Sequence, residues 1–230
     1  MQSASKFIVA IDFGTTFTGV AYAYFAGSTT LAGDPANGKT LAQSIRVFTR
    51  WPNASTKGAQ EKTPTIMSYD PLRWGDKVQS HHKLRVSRFK LGLDPQTVQE
   101  VFGIYSGDLV KGLVPALNKS AADVTADYLT QLHKYIDTEV FTNEFGREFL
   151  TSQRKQYVIT VPAIWSDRAK DLTRQAASKA GIPRDRLLLV TEPEAAALYC
   201  ATAGEEVDLG DGDSFLICDA GGGTVVRKAS

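Results

Sequence analysis

Two stretches near opposite ends of the chain share one pattern: an apolar run ending in an aspartate and passing into a turn of glycine and threonine. Residues 7–16 read F-I-V-A-I-D-F-G-T-T and residues 215–224 read F-L-I-C-D-A-G-G-G-T. The apolar runs have strand composition, and the small residues after the acid allow a tight turn whose backbone amides stand clear of side chains. A turn of that kind can offer several N–H groups to a phosphate. An aspartate at the strand end, Asp12 or Asp219, is placed to face a magnesium ion, which keeps several waters and takes few protein carboxylates. If two such turns face each other across a cleft, a triphosphate is held from both sides. Two related strand ends imply two related lobes.

Between these motifs the chain alternates strands and helices. Strands are expected at Lys6 to Asp12, Phe17 to Phe25, Ile45 to Trp51 and Thr65 to Tyr69, with short helices and loops from Val78 to Val114. A helix is expected from Ser120 to about Phe141, because Val124, Tyr128, Leu132, Tyr135, Ile136 and Val140 recur at three-to-four-residue spacing. Ser120 with Asp123 forms an acidic capping box at its start. Gln156 to Val161 reads as a strand, Ser166 caps a helix reaching Ala180 before Gly181, and Arg186 to Thr191 reads as another strand. Pro193 suits the first turn of a helix over Glu194 to Ala203, and Ser214 to Asp219 reads as the last strand. This order predicts an α/β fold with a mixed or parallel sheet covered by helices.

Composition sets the outer bounds. The 230 residues are 43% hydrophobic, enough for a sizeable core, and the formal charge of +1 offers no general field for nucleic acid or an acidic membrane. No stretch approaches the roughly 20 apolar residues needed to span a bilayer. The polar amino terminus, with Asp12 interrupting the first apolar run, does not read as a signal-peptide core, so a cytosolic or nuclear protein is expected. The two cysteines, Cys200 and Cys218, fall in apolar segments and read as small buried hydrophobes. Residues 33–40, G-D-P-A-N-G-K-T, match the P-loop pattern letter for letter, but no buried strand precedes them and no helix follows, so a surface loop is expected.

D-F-G-T-T and D-A-G-G-G-T resemble the two phosphate motifs of the actin, sugar-kinase and seventy-kilodalton heat-shock superfamily. V-I-T-V-P-A at 158–163, followed by Trp165-Ser166-Asp167 and by L-V-T-E-P-E-A-A-A at 189–197, is similar to the heat-shock chaperone branch. R-W-G at 73–75 and F-K-L at 89–91 look more like the distant chaperone-related proteins abundant in fungi. The resemblance implies an actin-like (ribonuclease H-like) ATPase fold, with residues 1–204 as the first lobe and 205–230 as the start of a second, incomplete lobe. It implies ATP and magnesium as cofactors, with Asp12 and Asp219 around the metal. Gly14, Thr15 and Thr16 would line the phosphates together with Gly221, Gly222, Gly223 and Thr224. Glu192 would stand near the attacking water, and Lys90 is the nearest candidate for the lysine that orients it. Pro162 resembles a hinge proline, although the arginine usual eight residues later is Lys170 here, which lacks the planar fork.

The chain stops at Arg227-Lys228-Ala229-Ser230, directly after the second turn, and Val226 stands where relatives carry an acid. The reading therefore expects most of the second lobe and the adenosine site to be absent. It also expects Phe215 to Val226 to form a strand with no following strand to pair it. A truncated, ATP-binding, chaperone-like ATPase of weak or no turnover is the leading expectation, with ATP or ADP, client proteins and co-chaperones as partners. The alternatives are a nonhydrolysing protein-binding remnant and a small-molecule kinase of the same superfamily.

Overall fold

The computed structural model describes residues 5–25, 44–52, 59–102, 117–202, 216–221 and 225–229; residues 101–102, 201–202, 218–220 and 225–229 are described by their backbone. Strand β1, Lys6–Phe13, is buried at alternate residues, with Phe7, Val9, Ile11 and Phe13 inward. That parity leaves Asp12 on the other face of the strand. β2, Phe17–Phe25, returns antiparallel to β1. Its far edge is taken by two short strands, β3 (Arg46–Val47) near Tyr22 and β4 (Lys62–Pro64) near Thr18.

β3 is much shorter than the strand expected from Ile45 to Trp51. Phe48 and Trp51 are 1% and 2% exposed, with rings 4.6 Å apart. Residues of opposite parity cannot share one face of a strand, so burying both ends the pairing. β5 (Ile66–Asp70) forms a separate antiparallel sheet with β6 (Leu72–Trp74) and β7 (Lys83–Ser87). β7 is a strand within a stretch expected to hold helices and loops. Only Val86 is buried in it, so it gave little apolar signal. A 3-10 turn, Phe89–Leu93, and helix α1, Pro95–Phe102, follow.

Helix α2, Ala121–Lys134, starts at the expected capping box: the Asp123 amide donates to Ser120 Oγ at 3.2 Å and the Ser120 amide donates to Asp123 Oδ2 at 3.2 Å. Val124, Tyr128, Leu129 and Leu132 are fully buried against the sheet, and Tyr128 meets Phe13 and Phe89. Burying each such side chain stabilises the fold by about 1.5–3 kcal/mol. The helix continues as a π-helical stretch, Tyr135–Phe141, then as α3 (Thr142–Phe145) and α4 (Arg147–Ser152). β8, Arg154–Val161, lies parallel to β1, and α5, Asp167–Lys179, carries the chain to β9, Leu187–Thr191, parallel to β8. Gly181, at φ +88°, ends α5 in the left-handed region as the sequence indicated. The main sheet thus runs β3-β2-β1-β8-β9 with β4 beside β2, a mixed sheet flanked by helices.

α6 spans Glu192–Thr202, starting two residues before the expected Glu194. Cys200 on this helix is an exposed free thiol, contrary to the buried hydrophobe expected from its apolar neighbours. β10, Leu216–Ala220, pairs antiparallel with β11, Val225–Ala229. This corrects the expectation of an unpaired terminal strand: β11, whose first two residues were read as the strand's continuation, is its partner. Residues 33–40, the P-loop lookalike, lie outside the described residues. Among the described residues no helix is long and apolar enough to cross a membrane.

Candidate functional site

The first turn is closed by the pairing of Phe13 with Thr18, leaving residues 14–17 as its loop. Gly14 donates its amide to the Asp12 carbonyl at 3.1 Å, and a Cβ at this position would overlap the Phe17 carbonyl oxygen. Only glycine fits there. Thr65, 1% exposed, fastens the turn from the protein side. Its hydroxyl donates to the Gly14 carbonyl at 2.9 Å, its amide donates to the Thr16 carbonyl at 2.8 Å, and its Oγ1 lies 2.8 Å from the buried Thr18 hydroxyl. In a trans peptide the N–H points opposite to the C=O, so holding the Gly14 carbonyl aims the Thr15 amide away from Thr65. Thr16 is exposed and Thr15 is 7% exposed. No short sequence motif signals Thr65, because it joins the turn across 51 residues.

Asp12 has partners on both carboxylate oxygens. Thr160 Oγ1, on β8, donates to Oδ1 at 3.0 Å, and Lys62 Nζ, on β4, donates to Oδ2 at 2.7 Å. The carboxylate is still 43% exposed. Among the described residues no three His, Cys, Asp or Glu side chains converge to hold a metal. A cage of protein carboxylates is therefore absent there, while one solvent-facing carboxylate beside a glycine turn fits a magnesium ion that keeps most of its water.

Lys90 and Glu192 come together from the 3-10 turn and the first residue of α6. Lys90 Nζ donates to Glu192 Oε1 at 2.6 Å, with the two side chains 2% and 12% exposed. Lys90 is not the solvated lysine that its residue type suggests. Its ammonium lies 5.6 Å from the Phe13 ring centre and 5.5 Å from that of Trp165, close enough for cation–π attraction. Phe13 adjoins Asp12 in β1, so the ion pair sits beneath the strand end that carries the Gly14 turn. Glu192 is not spent on capping α6. Thr191 and Glu194 do that, with the Thr191 amide donating to Glu194 Oε2 at 2.9 Å and the Glu194 amide donating to Thr191 Oγ1 at 3.4 Å. Nearby, the buried Asp94 accepts the Ser166 amide at 2.8 Å and fixes the start of α5. Lys170 pairs with Asp167 at 3.6 Å within its own helix.

The strands on either side of the second motif pair in the same register as those on either side of the first. Asp12 stands opposite Gly19, and Asp219 stands opposite Val226 in β11. Gly221 is described and exposed; Gly222, Gly223 and Thr224 lie outside the described residues, as does the Asp219 side chain.

Sheet order and first turn together define a lobe of the actin-like ATPase class. Residues 119–226 match the family model described as Hsp70 protein. The chain is 31% identical over 216 residues to Heat shock 70 kDa protein 12A of Homo sapiens, a match covering 86% of this chain and 29% of that protein. It is 26% identical to Heat shock 70 kDa protein 12B of Homo sapiens, over 86% of this chain and 28% of the relative. Chaperone protein HscA homolog of Acinetobacter baumannii (strain SDF) is 26% identical over 95% of this chain and 32% of its own length. The chain belongs to the Hsp70 family. It spans less than a third of the length of these three relatives.

Proposed function

We propose that this chain binds the phosphates of ATP or ADP with magnesium and serves the ATP-hydrolysing step of a chaperone-type protein. In this reading residues 1–204 are the first lobe and 205–230 open the second. The observation that carries it is the convergence, at one strand end, of a glycine-dependent turn, an exposed aspartate and a buried Lys90–Glu192 pair. Gly14, Thr15 and Thr16 receive phosphate oxygens on a turn that Thr65 holds in shape. Gly221, Gly222, Gly223 and Thr224 do the same from the second hairpin, with Asp219 in the role of Asp12. Asp12 and Asp219 would hold magnesium, which would supply charge neutralisation at the phosphates. Lys90 fixes the Glu192 carboxylate, which orients the attacking water and draws its proton; a positioned acid–base group of this kind contributes about 10²–10⁴-fold. Client proteins and co-chaperones are the partners of such an activity, and the exposed Cys200 thiol suits a reducing, cytoplasmic setting.

The test is phosphate release from ATP by the purified chain, compared with Glu192→Gln and Lys90→Met. Release slowed at least roughly 100-fold in Glu192→Gln supports the reading. Equal release by all three proteins contradicts it.

A further inference from the structure

Asp12 presents an electrostatic difficulty to its own turn. A carboxylate beside a phosphate site repels the phosphate unless a cation stands between them. In this chain the cation already present is Lys62, and the sheet is built to bring it there. In the β1–β2 register Asp12 lies opposite Gly19, and in the β2–β4 register Gly19 lies opposite Lys62. The three residues form one row across three strands. Neighbouring strands are about 4.8 Å apart, so Lys62 and Asp12 are separated at their Cα atoms by about 10 Å, a gap that only a long side chain closes. The residue between them has no side chain. The Lys62 stem lies over it, with Cγ 3.4 Å and Cε 3.5 Å from where a Gly19 Cβ would be, and Nζ reaches Asp12 Oδ2 at 2.7 Å.

We infer that Lys62 is the resident cation of the phosphate turn: it neutralises Asp12 before nucleotide arrives, offers a charged donor to a phosphate oxygen, and competes with divalent metal for the Asp12 carboxylate. The inference rests on the reading of residues 12–16 as a phosphate site. An ammonium has three N–H donors, and the contact with Asp12 uses one. A phosphate at the turn can therefore receive a charge-assisted bond from Lys62 while Asp12 keeps its own. The consequence is a nucleotide site whose affinity depends only weakly on magnesium. Lys62 is 52% exposed at its side chain, so replacing it leaves the core intact.

The experiment measures ADP affinity by calorimetry, with saturating magnesium and with EDTA, for the unaltered chain, Lys62→Met and Lys62→Arg. Removing magnesium is expected to weaken ADP binding less than roughly tenfold in the unaltered chain and in Lys62→Arg, and more than roughly tenfold in Lys62→Met, the size of one hydrogen bond to a charged group. In parallel, manganese(II) binding to the nucleotide-free proteins is followed by water-proton relaxation, and Lys62→Met is expected to bind the metal roughly tenfold tighter because a competing cation is gone. Equal magnesium dependence in all three proteins overturns the inference and leaves the phosphate-turn reading standing. No ADP binding by the unaltered chain under either condition overturns that reading, and the manganese measurement then decides the competition between Lys62 and metal by itself.

Discussion

Lys90 and Glu192 are 102 residues apart in sequence and 2.6 Å apart at their charged atoms. A buried ion pair of this kind gains little net stability over a well-packed apolar pair, but breaking it leaves an uncompensated charge in the interior. Glu192→Ala is therefore expected to cost about 3 kcal/mol in urea unfolding, because Lys90 stays behind at 2% exposure between Phe13 and Trp165. The double variant Lys90→Met with Glu192→Leu should return to within about 1 kcal/mol of the unaltered chain, since both charges leave together. Additive losses in the double variant would contradict this account of the pair. At this scale the sequence was partly legible. Asp12 and Gly14 stand out because strand, acid and turn are contiguous. Lys90 could be named only as the nearest candidate, and its burial came from tertiary packing. Lys62 and Thr65 carry no local signal at all, because their roles depend on the registers of β4 and of the chain just after it.

Helix α2 shows what an element can carry in its own sequence. Its capping box and its buried stripe at Val124, Tyr128 and Leu132 follow from spacing alone. The Ser120 hydroxyl, then Lys179 from α5, hold the Asp123 carboxyl down at about 2, from an ordinary value of 3.8. A depressed folded-state value means that the stabilisation is present above the ordinary carboxylate range and is lost as pH falls from about 3.8 toward about 2. Asp123 is 42% exposed at its side chain, so solvent screening keeps the effect modest. Asp123→Asn is expected to lower stability at neutral pH and to flatten the acid limb of a thermal-melting profile across that window. An unchanged limb would contradict the assigned role. Other elements were misread for physical reasons. β3 looked longer because Phe48 and Trp51 are apolar, although their parity forbids one strand face, and β7 was missed because its single buried residue is Val86. The π-helical stretch keeps Ile136, Val140 and Phe141 buried, a spacing that an α-helical periodicity reads as simple continuation.

Across the whole molecule, the mixed sheet follows from what is brought to each edge of β1. The tight turn at Gly14 returns β2 antiparallel, while the long excursion through β4 to α4 brings β8 back parallel on the other side. The repeated motif was legible in the sequence, and β10 and β11 pair in the same register as β1 and β2. The adjacency of the Lys90–Glu192 pair to the first turn was implied only by the family resemblance and by no local pattern, because it requires Phe13 to face inward while Asp12 faces out. The account's central claim is that these parts form a phosphate site. Its most direct test is calorimetric titration of ADP with magnesium into the purified chain and into Asp12→Ala and Gly14→Val. Saturable binding in the unaltered chain, weakened at least roughly tenfold in both variants, is the predicted result. Binding that is absent from the unaltered chain, or untouched by the two substitutions, would contradict it.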